Sequence, residues 1–405
     1  MNDVLEVNIV HPSLNRLGGA ERVCLEMIGA LRDAGYKVNL FTIDEVDWEV
    51  LRRGFGEAWK PDAEHHLYPR LPGGSVPGWL LLSVSYIHLL LRAKRTKGSV
   101  TINNYGEVFP FIADLSYVHS IPLHTSAVRR QNPFRVPLWR VTSRIYLLSY
   151  RLLRILFRMS AVVANSRYVS KLVDDGSKAL FVLHPPVRVG GLLGQDKSKE
   201  RMIFTLSRIT GTKRLSIIPE IAAGVGSEGC RFLLMGKMDE GSCEVVHELA
   251  ARAQRLGVEA MIEVVGNPDR RTVEEGYSVS KIYLSTQPTE TFGMAVVEAM
   301  SHGCVPLVPP SGGPWIDILD GTEGRYGFSY DSSAQAARRI GDIFYDTDMA
   351  DQISERAKER ASYFGSDAFR RRFLRLMQAC ERAASSESGS EESTREGSTA
   401  IMASR

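Results

Sequence analysis

Residues 7–42 read VNIV–HPSLNRLGG–AERVCLEMIGALRDAG–YKVNLFT. Val7–Val10 is an apolar run of strand length, and His11–Gly19 is a polar loop that ends in a glycine pair. Beyond it, Val23, Met27 and Leu31 recur every four residues, the repeat of a helix with one buried face, and Gly35 stops that helix. A second apolar run, Val38–Thr42, follows at once. Strand, glycine-bearing loop, helix and strand make a βαβ unit, from which parallel sheets are assembled.

The same pattern restarts after Val189–Lys199, a stretch containing Gly190, Gly191 and Gly194. Met202–Leu206 reads as a strand, Ile217–Val225 as a helix and Arg231–Met235 as a strand. Further apolar runs follow at Met261–Val265, Ile282–Ser285 and Val305–Val308, and Asp348–Arg382 is helical in pattern. The expected class is α/β, with two Rossmann-like domains facing across a cleft and a closing helix that returns to the first. Ligand is expected at the carboxyl ends of the strands, between the domains. The expected limits are 1–190 for the first domain, 199–365 for the second and 366–384 for the returning helix. Residues 385–405 are rich in Ser, Glu, Gly and Thr; such a segment cannot bury enough surface to fold and is expected to be a disordered tail.

Composition excludes several classes. The 405 residues suit two domains of middling size, and 44% hydrophobic with 24% charged residues is ordinary for a folded soluble chain. A formal charge of +3 is too small to imply a nucleic-acid partner. Five scattered cysteines without a Cys-x-x-Cys pair support neither a disulfide framework nor a zinc site. The start lacks a basic stretch followed by an apolar run, so no signal peptide is expected, and the protein reads as cytoplasmic. The most membrane-like run, Trp79–Leu91, is short and interrupted by Ser83, Ser85 and His88, against roughly 18 apolar residues needed to span.

The chemistry concentrates in residues 290–298, ETFGMAVVE, just after a strand. Helical spacing from Phe292 onward puts the backbone N–H groups of Phe292, Gly293 and Met294 at a helix start. That end attracts an anion, and Gly293 allows close approach. If the path is mostly helical, Glu290 and Glu298 lie about 12 Å apart at ~1.5 Å per residue, the reach from a sugar past a diphosphate to a ribose. Glu290 would then take sugar hydroxyls and Glu298 the ribose; the plainer alternative is a helix with two acidic positions. Ser207, Arg208 and Lys213 follow the second domain's first strand. Two cations five residues apart suit two phosphates, each charge-assisted bond being worth about 1.5–3 kcal/mol. Arg214 competes for the lysine's role, and a solvated basic loop is the alternative. No Gly-x-Gly-x-x-Gly or Walker A stretch occurs, which weighs against dehydrogenase and NTPase chemistry.

Glu290, seven residues, Glu298, then Ala299-Met300-Ser301-His302-Gly303, Pro306 and Ser311-Gly312-Gly313-Pro314 resemble the donor-site signature of family 4 glycosyltransferases. Those are retaining enzymes of the GT-B fold, and the resemblance runs from His11 to about residue 320. It implies that Arg208 and Lys213 hold the donor diphosphate and take up leaving-group charge. Gly18 and Gly19 would approach the phosphates from across the cleft. It also implies that His119, in Asp114–Pro122 (DLSYVHSIP), lies beside the donor sugar. Gly266 and Asn267 would frame the base, and Asn103 and Tyr105 would form an acceptor-side loop. The implied donor is a nucleotide sugar, with no obligatory cofactor or metal.

Residues 125–160 contain no acidic residue but eight arginines (129, 130, 135, 140, 144, 151, 154 and 158), interleaved with aromatic and aliphatic side chains. Such a segment suits an anionic membrane surface, the alternative being a core helix with a basic face. Nucleic acid ranks far behind. With Asn165-Ser166 and His184-Pro185-Pro186, the sequence is most similar within the family to mannosyltransferases that extend dolichol-linked oligosaccharides from GDP-mannose on the cytosolic membrane face. It is expected to lack those eukaryotic members' N-terminal anchor, which leaves donor and acceptor open. The expectation is therefore transfer of mannose from GDP-mannose to a lipid-linked glycan by a peripheral enzyme on the cytoplasmic membrane face. A UDP-sugar transferase building surface polysaccharide or glycolipid is the alternative, ahead of a non-catalytic scaffold relative. Oligomeric state stays open.

Overall fold

The computed structural model describes residues 5–56, 58–70, 78–96, 99–107, 109–120, 148, 152, 161–173, 180–190, 198–226, 229–239 and 241–382. The expected interfacial segment 125–160, apart from Leu148 and Leu152, and the expected tail 385–405 lie outside the described residues. No helix among the described residues is long and apolar enough to cross a membrane.

Two parallel sheets carry the fold. Strands β1 (Glu6–Val10), β2 (Lys37–Asp44), β3 (Ala63–Tyr68), β4 (Ser99–Asn103), β5 (Leu115–Val118), β6 (Ala161–Ala164) and β7 (Leu180–Val182) are ordered β3-β2-β1-β4-β5-β6-β7. The second sheet holds β8 (Glu200–Leu206), β9 (Arg231–Gly236), β10 (Ile262–Gly266), β11 (Ser280–Leu284), β12 (Val305–Val308) and β13 (Phe328–Ser329), ordered β10-β9-β8-β11-β12-β13. In each sheet the chain winds outward one way and then restarts beside its first strand, at β1/β4 and at β8/β11. Loops leaving a switch point diverge to opposite faces and open a crevice at the carboxyl edge.

The opening βαβ unit forms as its periodicity predicts. Helix Gly19–Asp33 buries Val23, Met27 and Leu31 against β1, whose Val7 and Ile9 are fully buried. The Glu21 carboxylate reaches back to accept from Gly18 N at 2.9 Å, half of a capping box that fixes the helix start. In the second domain, Ile218–Val225 carries Pro219 in its first turn and ends at Gly226 with φ +76°, the left-handed stop that glycine adopts without strain.

The helical stretch expected over Asp348–Arg382 is two helices. Thr347–Ser362 ends, the chain turns at 363–365, and a second helix occupies 366–382. At the break, Val187 N donates to Phe364 O at 2.8 Å and Val187 pairs with Gly365, so the interdomain crossing takes backbone groups that a continuous helix would use itself. Helix 366–382 then returns to the first domain. Its Phe369, Phe373 and Met377 share a core with Val23, Met27 and Leu31, and Arg370 Nε donates to Glu26 at 2.7 Å. Phe373 is fully buried, with its ring parallel to that of Phe369. Phe373→Ala is expected to destabilise the first domain by about 3–5 kcal/mol, read as a lowered midpoint in denaturant unfolding.

Candidate active site

The loops leaving β8 and β11 meet at the second switch point. Lys213 sits in the single turn Gly211–Lys213, and its Nζ lies 2.6 Å from Glu290 Oε2. Thr286 Oγ1 donates to Lys213 O at 2.6 Å, tying one loop to the other. Lys213, Glu290, Gly293, Met294 and Ser285 line a pocket of about 180 Å³. At ~30 Å³ per water that is room for about six waters, a subsite for part of a ligand. Arg208, next to the lining residue Ser207, is exposed.

The Ser-Gly-Gly-Pro stretch is the mould for Glu290. Gly313 N donates to Glu290 O at 2.8 Å, and Ser311 Oγ donates to Pro288 O at 2.7 Å. Gly312 has φ +77°, and a Cβ there would meet Glu290 O at 2.7 Å. A side chain at this position would therefore displace the backbone that presents the carboxylate.

The helix starts at Met294, with Gly293 (φ +98°) as its cap, and not at Phe292 as spacing predicts. Phe292 is 2% exposed and packs against His184 and Phe364, so its side chain belongs to the core, whereas the expectation concerned its backbone N–H. An apolar ring beside the domain junction gains more from burial than from a polar cleft. The path from Glu290 to Gly293 is non-helical, so the spacing estimate holds only from Met294 onward. Glu298 accepts from the Tyr277 hydroxyl at 3.1 Å and faces Arg22 of the first domain at 4.0 Å. Burial raises its pKa, opposed by the Arg22 charge and the Tyr277 hydrogen bond.

Behind Glu298 stands a relay that spacing alone did not reveal. Tyr277 stacks on His302 with ring centres 5.2 Å apart, His302 Nε2 lies 2.8 Å from Glu274, and Arg270 donates to Glu274 at 3.0 Å. The Ala-Met-Ser-His-Gly motif was the available signal, since His302 is its histidine.

Across the cleft, Gly19 opens its helix directly opposite Met294. A Cβ on Gly19 would lie 2.8 Å from Met294 Sδ, so two helix starts from different domains abut. Their dipoles both favour negative charge between them. Gly18 N–H, by contrast, is already taken by Glu21. His119 follows β5; its Nε2 lies 2.9 Å from Asn104 O and its backbone N donates to Glu107 at 2.7 Å. Burial drives its pKa down to about 4, leaving a neutral imidazole at physiological pH.

The other expected contacts are placed as follows. Asn103 is fully buried and accepts from the Tyr86 hydroxyl (2.6 Å) and Tyr105 N (2.9 Å), so it braces the loop and leaves its surface to Tyr105, 37% exposed. Gly266 and Asn267 end β10, two strands from the β8/β11 crevice. Asn267 Oδ1 accepts from Met238 N at 2.9 Å, which commits that side chain to the neighbouring loop. The chain's one Asp-x-Asp triplet, Asp346-Thr347-Asp348, is a helix cap in which Asp346 accepts from Met349 N at 2.9 Å. No cluster of three metal-ligating side chains occurs among the described residues.

Glu274 gives the site an acid-sensitive component. Burial alone would raise its pKa, but the His302 hydrogen bond and charge, together with Arg270, outweigh burial and bring it from 4.5 to about 2. A carboxylate depressed on folding stabilises fully above its unfolded pKa, and that contribution is lost as pH falls from 4.5 toward 2. Glu274→Gln is therefore expected to unfold more easily than wild type at neutral pH and to converge with it near the acid end, read from denaturation midpoints across pH.

Residues 194–360 match the family model for glycosyl transferases group 1. The GDP-Man:Man(3)GlcNAc(2)-PP-Dol alpha-1,2-mannosyltransferase of Mus musculus is 30% identical over 164 residues, 40% of this chain and 33% of its own length. The Dictyostelium discoideum protein of the same name is 22% identical over 213 residues, 49% of this chain and 42% of its own. The chain thus spans less than half the length of these relatives. Among solved structures, Anabaena HepE in complex with UDP and glucose superposes with a TM-score of 0.67 at 18% identity, covering 92% of this chain and 99% of that one. WaaG, a glycosyltransferase involved in lipopolysaccharide biosynthesis, gives 0.65 at 13% identity, covering 91% and 99%. At such identities the likeness is one of fold, and that fold is GT-B. Residues 194–360, which carry Lys213, Glu290 and Glu298, thus match the glycosyl transferases group 1 model within a two-domain GT-B frame.

Proposed function

We propose that this protein is a retaining glycosyltransferase that takes a sugar from a nucleoside diphosphate donor. One observation carries the reading: the Lys213–Glu290 pair at the β8/β11 switch point is closed over by the first domain's Gly19 at Met294. A carboxylate that grips sugar hydroxyls would repel a neighbouring diphosphate unless a cation stood between them. Lys213 is that cation, and donor binding would draw it from Glu290 toward phosphate. As the glycosidic bond breaks, charge grows on the departing phosphate, so Lys213 and Arg208 act more strongly on the transition state than on the ground state. A neutral His119 would hydrogen-bond the sugar without adding charge. Glu298, held by Tyr277, is suited to the ribose. By analogy with the family, departure and attack share one face of the sugar.

Mannose from GDP-mannose, passed to a lipid-linked glycan, is the donor and acceptor pair favoured by the mannosyltransferases similar to part of this chain. The specific competing observation is HepE, solved in complex with UDP-glucose, which supports a UDP-sugar donor as the second reading. A peripheral position on the cytoplasmic membrane face rests on the arginine-rich segment 125–160 alone.

Calorimetric titration with GDP and UDP separates the two donor readings: tight UDP binding with none for GDP removes mannose from the lead. Glu290→Gln is expected to lower the transfer rate by about 10²–10³-fold; an unchanged rate would sink the catalytic assignment. Glu298→Gln is expected to weaken nucleotide binding by about 1.5–3 kcal/mol, with a smaller effect on turnover. Wild type should float with anionic liposomes and an Arg151/Arg154/Arg158 triple alanine variant should float less. A wild type that stays at the bottom of the gradient removes the membrane reading.

A further inference from the structure

Asp317 is a carboxylate with no exposed surface, and the groups that satisfy it come mostly from the other domain. It lies in the π-helical turn Pro314–Ile318 of the second domain. Facing it is the single turn Arg167–Ser170, which follows β6 of the first sheet. Arg167 N donates to Asp317 Oδ1 at 2.7 Å and Tyr168 N to Oδ2 at 3.2 Å, so a side chain of one domain caps a helical turn of the other. His184, on the chain that leaves β7 toward the second domain, places Nε2 2.8 Å from the same Oδ1. The Arg167 guanidinium also pairs with Asp317, Nε lying 3.5 Å from Oδ1, and reaches Asp320 at 2.7 Å and Ile316 O. From behind, Arg360 donates to Asp317 O at 2.8 Å and to Ile318 O at 3.1 Å, holding the turn on its own domain.

That turn connects directly to the site. Pro314 follows Gly313, whose N–H holds Glu290 O. The His184 ring lies 5.5 Å from Phe292, two residues beyond Glu290. We propose that Asp317 is a positioning residue: it pins the first-domain turn Arg167–Ser170 to the loop that shapes Glu290, and so fixes where the first domain's Gly19 meets the donor pocket.

The physical argument turns on what a buried charge tolerates. With the domains apart, water would solvate Asp317. With them seated, Arg167 N, Tyr168 N, His184 and the Arg167 guanidinium replace that water. A slip of an ångström in either direction would leave the carboxylate buried with its partners out of reach, the costliest arrangement available to it. The carboxylate therefore favours two states, seated or open, over a smear of near-misses, which is the discreteness that precise placement of reacting groups requires.

This inference rests on the transferase reading for its kinetic consequence but not for its structural one. Asp317→Ala removes the cap. Arg167→Pro removes it from the opposite domain: proline is tolerated at the first position of a helical turn, and Ser166, at φ −160° and ψ 158°, already has the extended backbone that precedes proline. Both variants are expected to speed amide exchange across residues 166–170 and 19–22. Both should lower kcat by about tenfold to a hundredfold while GDP or UDP affinity stays within about twofold. Arg167→Ala, which keeps the N–H, should fall between them and wild type. If Asp317→Ala does not fold, Arg167→Pro carries the same test. Full kcat in either variant, unchanged exchange, or an equal loss in nucleotide affinity would each overturn the proposal, the last because it marks damage to the second domain. If wild type transfers from no nucleotide sugar, the transferase reading fails, and exchange alone still judges the pin.

Discussion

Two parallel sheets that each reverse their winding order beside their first strand impose the constraint on which everything else hangs. Every loop leaving β1, β4, β8 or β11 must emerge at one of two gaps. Lys213 and Glu290 are 77 residues apart, yet each follows a central strand and so both are delivered to the same crevice. Gly19 follows β1 and reaches the junction from the opposing sheet for the same reason. Gly266 and Asn267 follow β10, which runs two strands away from β8.

Around that crevice, backbone does as much shaping as side chains. Gly312 and Gly313 let one loop lie on the backbone of Glu290, and Gly293 turns the chain from that loop into the Met294–Ser301 helix. The carboxylates are braced from beneath, Glu298 by Tyr277 and, through it, by His302 and Glu274. Three cross-domain devices set the opposing half: the Gly19–Met294 contact, the Arg22–Glu298 approach and the Asp317 cap. The returning helix 366–382 makes the first domain's core depend on the far end of the chain, through Phe369, Phe373 and Met377.

Legibility followed the range of the interaction. The opening βαβ unit could be read because a buried helical face and a buried strand leave their periods in sequence, and Val23, Met27 and Leu31 are buried as that spacing implies. Glu290 and Glu298 were picked out by a motif with fixed spacing and Lys213 by its loop after a strand, and the structure brings Lys213 to Glu290. The break at 363–365 was legible as the expected limit between 365 and 366, but its cause was not, because the interruption comes from a contact with Val187, more than 170 residues earlier. The helix start was read two residues early for a related reason: an apolar Phe292 fits the helical pattern, and that its ring packs on His184 and Phe364 is decided by distant parts of the chain.

Sequence alone therefore determined the local periods, the number of βαβ series, and the glycine and carboxylate positions whose spacing carries chemistry. Those properties arise within one element or one loop, where side-chain pattern and backbone preference act directly. Only tertiary structure decided that Lys213 pairs with Glu290, that Asn103 braces a loop while Tyr105 faces outward, and that the buried charge of Asp317 is satisfied from the other domain. Each of those outcomes depends on which distant groups arrive to replace water around a polar atom, and that is fixed by how the two sheets close on one another.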